Sequence, residues 1–258
     1  MTEREPLLAA LEWQLAAGVD EVVGFEPADR FAPPPERKAP AAPPPARRAA
    51  PVAAHPVAAV EASSGDVART ADLDALRGLL LAFDGCALKK TATNTVFGEG
   101  PAGARLMIVG EAPGADEDRQ GRPFVGPSGR LLERMLAAIG FRREEVYIAN
   151  TVYWRPPGNR TPSAEEVEAC RPFVDRQIAL VAPEVLMLAG GAAAKTLLGT
   201  TEGIMRLRGR WQRLAAADGP VDVMPTFHPA FLLRSPARKR EAWRDLLAVK
   251  ARLETARS

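Results

Sequence analysis

Two cysteines and two histidines in 258 residues rule out a good deal before any motif is read. A pair of thiols cannot build a disulfide framework, and points instead to a reducing cytoplasm. No apolar run approaches the roughly 20 residues that a membrane span needs, so no membrane is expected. The opening MTEREPLLAALEWQL carries acids and no apolar signal core, so no export signal is read there. A dominant charge sign is missing too. The 34 basic and 32 acidic residues leave a net +2, too little to announce nucleic-acid binding by bulk charge, so any basic surface must be local. What is present, with 47% hydrophobic and 26% charged residues, suits a globular protein with one sizeable core and an appendage.

The appendage comes first. Leu, Trp and Val recur at helical spacing over residues 3–23, so residues 1–26 are expected to hold a short helix. Ten of the 24 prolines then fall between Pro27 and Pro56. Proline at that density favours an extended tether, drawn here over residues 27–68. A helix on a tether suits recruitment of a protein partner. Residues 69–258 are expected to form the globular domain.

In that domain, apolar runs at 105–111, 146–152, 185–191 and 221–227 read as buried strands. Helical patterns lie between them, one opened by the capping box Ser163 to Glu166. The alternation predicts a three-layer α/β/α fold around a central, mainly parallel four-stranded sheet. In such sheets ligands bind beyond the carboxyl ends of the strands, which selects the loops 111–127, 150–162, 190–194 and 227–236.

The first loop, GEAPGADEDRQGRPFVG (110–126), has the strand, Gly-rich turn and helix layout of a phosphate cradle. It lacks the Lys and the G-x-G-x-x-G spacing of one, and offers Glu111, Asp116, Glu117 and Asp118 instead. Glu111 follows the first strand directly, Asn150 ends the second and His228 follows the last. With Phe124 they would converge on one rim. Asp116, Glu117 and Asp118 read as a mostly solvated acidic run.

GEAPGADED, GRPFVGPSG, IANTVYWRPPGNRTP and FHPAFLLR, in order from about Gly85 to Trp243, resemble the successive motifs of the family-four uracil-DNA glycosylases. The resemblance implies a monofunctional enzyme that hydrolyses the N-glycosidic bond of uracil in DNA and leaves an abasic site. Its substrate must be flipped out of the duplex and read on its Watson–Crick edge. By motif position, Glu111 and His228 take the catalytic roles, and Ala112, Gly114, Phe124 and Asn150 form the uracil pocket. Asn150 would pair with a uracil carbonyl and ring N–H, Phe124 would stack on the base, and His228 would donate to the other carbonyl. Glu111 would orient the water or stabilise positive charge on the sugar. Ser128, Arg155 and Arg234 would contact DNA, with Leu232 and Leu233 at the position of the apolar wedge. The basic runs RLRGRWQR (206–213) and RSPARKREAWR (234–244) are candidates for phosphate contact.

The family usually holds a [4Fe–4S] cluster on four cysteines. In this chain Phe83 and Trp154 occupy two of those places, leaving Cys86 and Cys170 as remnants. Two thiolates cannot supply four ligands, so no cofactor is expected. Ala112 stands where other uracil glycosylase families carry an Asp, so water activation cannot be assigned to that position. The 151–163 loop lacks the His with which a related subgroup traps DNA. A monomer is expected. Two other readings stand beside this one: a catalytically weak DNA-binding or damage-sensing relative, and a nucleotide-binding α/β domain.

Overall fold

A computed structural model describes residues 65–216 and 219–255. The expected helix at 1–26 and all of the tether up to residue 64 lie outside the described residues. Residues 65–68, drawn as the end of the tether, are helical, and Val67 is only 2% exposed. Residues 65–68 therefore belong with the globular domain rather than with the tether.

The five strands are β1 (Leu106–Gly110), β2 (Tyr147–Asn150), β3 (Val185–Ala189), β4 (Gln212–Ala216) and β5 (Gly219–Thr226), in the spatial order β2-β1-β3-β5-β4. The four expected strands pair in parallel, and β1, β2 and β3 are buried along their whole length. Burial on both faces is why they read as unbroken apolar runs rather than alternating ones. The fifth strand, β4, is an antiparallel edge strand whose residues alternate between half-buried and exposed. Arg213 lies in it, which made this stretch look like basic surface.

After the helical turn at 65–68, the α-helices among the described residues are α1 (Leu73–Ala82), α2 (Ala115–Gln120), α3 (Pro127–Ala138), α4 (Ala164–Val181), α5 (Gly191–Leu198), α6 (Ile204–Leu207), α7 (Pro229–Arg234) and α8 (Lys239–Thr255). One face of the sheet packs Met107, Val109, Leu186 and Leu188 against Val174 and Ile178 of α4 and Leu197 of α5. The other packs Leu106, Ile108 and Met187 against Leu132 and Leu136 of α3 and Leu246 and Val249 of α8. Neighbours along a strand alternate between these two cores, as a period of two requires. The result is a three-layer α/β/α fold. The capping box at α4 is present: Ser163 accepts from the Glu166 amide, and Glu166 accepts from the Ser163 amide at 2.8 Å.

Parallel pairing sends all four loops to one edge. Gly110 ends β1 in register with Asn150 at the end of β2, and Thr226 ends β5 beside Ala189 of β3. The chain turns to β2 on one side of β1 and to β3 on the other, so the sheet has its switch point there.

Candidate active site

A cavity of about 460 Å³ opens at that edge. Glu111, Ala112, Gly114, Phe124, Ser128, Asn150, His228 and Arg234 all line it, from four separate segments of the chain. Asn150 is 2% exposed, and among the described residues its side-chain amide enters no hydrogen bond. The amide is not among the fully enclosed polar atoms that lack a partner, so it opens on the cavity. An amide kept in that state retains its donor and its acceptor for a ligand.

His228 caps α7, and its Nδ1 accepts from the Ala230 amide at 3.1 Å. Burial, aided by the Arg234 charge, lowers its pKa to about 4, with Glu117 opposing. The ring is therefore neutral at ordinary pH. With Nδ1 taken as acceptor, its proton sits on Nε2, the nitrogen left to donate. Glu111 shows the converse. Burial raises its carboxyl pKa, partly offset by a hydrogen bond from Thr161. A carboxylate so placed is a better proton acceptor than a solvated one.

Phe124 is 4% exposed, and its ring lies 5.4 Å from the His228 ring at an interplanar angle of 27°. Its backbone is left-handed, with φ of 51°. For a non-glycine residue that costs about 1–2 kcal/mol. Gly110 lies where these groups meet. A Cβ there would fall 2.6 Å from Asn150 Oδ1 and 2.6 Å from the Phe124 ring. Only a residue without a side chain lets both approach the end of β1.

The acidic run is less solvated than expected, with Asp116 still partly exposed. Asp118 is 5% exposed and accepts from the amides of Thr93 and Asn94, at 2.8 and 3.1 Å. Glu117 lines the cavity but accepts from the amides of Gly114, Val125 and Gly126. Asp116 pairs with Arg119. Of the four acids, Glu111 is the one whose carboxylate lines the cavity without being tied to backbone amides.

The expected DNA face divides. Leu233 is 40% exposed, an apolar side chain held in water, whereas Leu232 is 1% exposed and packs with Phe227 and Ala242. Leu232 is therefore a core residue, because successive positions on a helix face different ways. Arg155 does not line the cavity; its Nε donates to Asn159 at 2.8 Å. Arg208 of the first basic run turns inward to an ion pair with Asp245, which is 1% exposed and also accepts from Thr226 Oγ1 at 2.8 Å. Sequence reasoning missed Asn159, Arg160 and Thr161, which also line the cavity. The turn chemistry of PPGNRTP was the available signal.

Beside the cavity lies a third apolar cluster. Cys86, Cys170, Tyr153, Trp154 and Phe173 are buried in it, with Phe83 packed against them. The rings of Phe83 and Phe173 are 5.1 Å apart, and Trp154 Nε1 donates to Thr95 Oγ1 at 2.9 Å. Cys170 is held well above the usual thiol range by its hydrogen bond with Cys86 and by burial. Two thiols among aromatic rings cannot supply the four thiolates that such a cluster takes. Among the described residues, no group of three or more His, Cys, Asp or Glu is placed to hold a metal ion.

The sequence model of the uracil DNA glycosylase superfamily matches residues 97–247. This chain is 43% identical over 179 residues to the type-4 uracil-DNA glycosylase of Pyrobaculum aerophilum, covering 68% of this chain and 91% of the relative. It is 42% identical over 160 residues to that of Archaeoglobus fulgidus, covering 60% and 80%. It is 43% identical over 157 residues to that of Thermotoga maritima, covering 58% and 77%.

Proposed function

The chain belongs to the uracil DNA glycosylase superfamily, and from that premise we propose that it excises uracil from DNA by the chemistry its cavity can supply. The enzyme is a uracil-DNA glycosylase: water adds at C1′ of the sugar, the N-glycosidic bond breaks and free uracil leaves. The observation that carries this reading is the amide of Asn150, free of protein hydrogen bonds and open to a cavity that also holds a neutral His228. The Asn150 amide accepts from the uracil N3–H and donates to O4, a pairing that cytosine does not match. The Nε2–H of His228 donates to O2, where negative charge gathers as N1 takes up the bonding electrons. A neutral donor serves here, because the proton is shared with the leaving anion rather than surrendered to it. Such help is worth about 2.7–4 kcal/mol. Glu111, with its raised pKa, takes the proton of the attacking water or stabilises the positive sugar. The Phe124 and His228 rings are too close for a base to slide between them, so uracil stacks on the face of Phe124 that is turned to the open cavity. Leu233 fills the gap left in the stack, with Ser128 and Arg234 at the phosphates.

The reaction runs here without a [4Fe–4S] cluster, its volume filled by Phe83 and Trp154 instead. Stoichiometric iron with charge-transfer absorbance in anaerobically prepared protein would contradict that reading. The activity itself is tested with single- and double-stranded oligonucleotides carrying one uracil, followed by alkali. Strand breaks at the uracil position are expected, and their absence with retained DNA affinity would favour a binding protein.

A further inference from the structure

Phe124 is one of three described non-glycine residues with positive φ, and with Asn159 one of two that line the cavity. A strained residue stays strained only when its surroundings hold it. Arg143, in the turn before β2, reaches the segment from one side. Its guanidinium donates to the carbonyl of Pro123 at 2.6 Å and to that of Phe124 at 2.9 Å. Its side chain is 10% exposed, and Glu99 and Glu133 fix it at 2.9 and 3.2 Å. Glu117 takes the amides that follow, Val125 at 2.9 Å and Gly126 at 3.0 Å. The helix start of α3 completes the enclosure: a Cβ at Gly129 would lie 1.8 Å from the Phe124 carbonyl oxygen.

We propose that Arg143 and Glu117 are positioning residues that act through Phe124, clamping residues 123–126 by opposite charges so that the ring is set for the base before substrate arrives. The chemistry is directional. Within this segment the cation takes carbonyl oxygens and the carboxylate takes amides, so the two pull on adjoining peptide groups. With the clamp released, φ at Phe124 returns to the extended or right-handed region and the ring leaves the cavity wall. Neither residue touches the reacting atoms. The acidic residue that looked like solvated surface in the sequence thus shapes the pocket, and Arg143 lies outside every motif that marks the site.

This inference rests on the reading of Phe124 as the face on which uracil stacks, and a double-mutant cycle separates the two. Excision of uracil from an oligonucleotide is measured for the full-length wild type, Arg143→Met, Phe124→Ala and the double variant, with thermal melting alongside. Arg143→Met is expected to lower kcat/KM by about ten- to a hundred-fold, as misplacement by about 1 Å does. In the Phe124→Ala background the same change should cost less than about twofold, because the residue it acts through is gone. If the two losses multiply instead, Arg143 does not act through Phe124 and the inference falls. If Arg143→Met does not fold, Glu117→Gln, which keeps an acceptor oxygen and loses the charge, carries the same cycle from the other side. Absence of uracil excision in the wild type would reject the functional reading itself, a different outcome from multiplying losses.

Discussion

The cavity at the sheet edge and the aromatic cluster beside it share a wall at Ala112, yet they are built on opposite principles. The cavity keeps what costs stability, a histidine pushed out of its ordinary pKa range and left-handed backbone at Phe124, and it leaves the Asn150 amide open to a ligand. The cluster gives stability back, with Trp154 1% exposed among Tyr153 and Phe173 and its one N–H satisfied by Thr95. A region retained for packing can trade polar groups for rings; a region retained for chemistry cannot. Each region should therefore fail in its own way when altered.

The largest expected effect is on stability. Trp154→Ala empties the middle of the cluster and should cost about 3–5 kcal/mol, read as a fall in melting temperature. Activity per folded molecule should stay near wild type; a matching loss in kcat would break the distinction between the two regions. Next comes His228→Ala, which should slow uracil release by about 10²–10³-fold with DNA binding retained, in single-turnover and binding assays. Asn150→Asp belongs beside it and should relax discrimination against cytosine, measured on paired uracil and cytosine substrates.

The pH dependence sharpens the same comparison. His228 titrates at about 4 in the folded protein against 6.5 for the free side chain. Between those values the unfolded chain binds a proton that the folded one does not. Stability is therefore full above about pH 6.5 and falls as pH drops toward 4, by up to about 3 kcal/mol. His228→Gln should flatten that limb of a melting-temperature profile, while Trp154→Ala should shift the profile without changing its slope. The smallest effect belongs to Cys86→Ala, a loss of about 1 kcal/mol on melting with no change in excision rate. A large loss of activity there would mean that the thiol is more than packing.

The contrast also explains what could be read from the sequence. The four parallel strands, the cap at Ser163 and the convergence of Glu111, Asn150 and His228 on one cavity were legible because unbroken apolar runs, caps and strand-end polar residues are local signals, whereas Phe124 was marked only by the resemblance of its motif. The edge strand Gln212–Ala216 was not, since half-exposed residues and an arginine resemble solvated surface. Asp118 and Arg208 were misjudged for one reason. Whether a charge meets water or a buried partner depends on segments far apart in the chain, such as Asp118 with Thr93 and Arg208 with Asp245. Leu232 and Leu233 show the finest grain: adjacent and chemically alike, one is core and the other exposed.

Gly110 carries a consequence for how this protein can be lost. Every catalytic group could survive intact, yet one added carbon at the end of β1 would collide with Asn150 and Phe124 together. An alanine there would displace two side chains of the cavity at once, though it stands among none of the residues doing the chemistry.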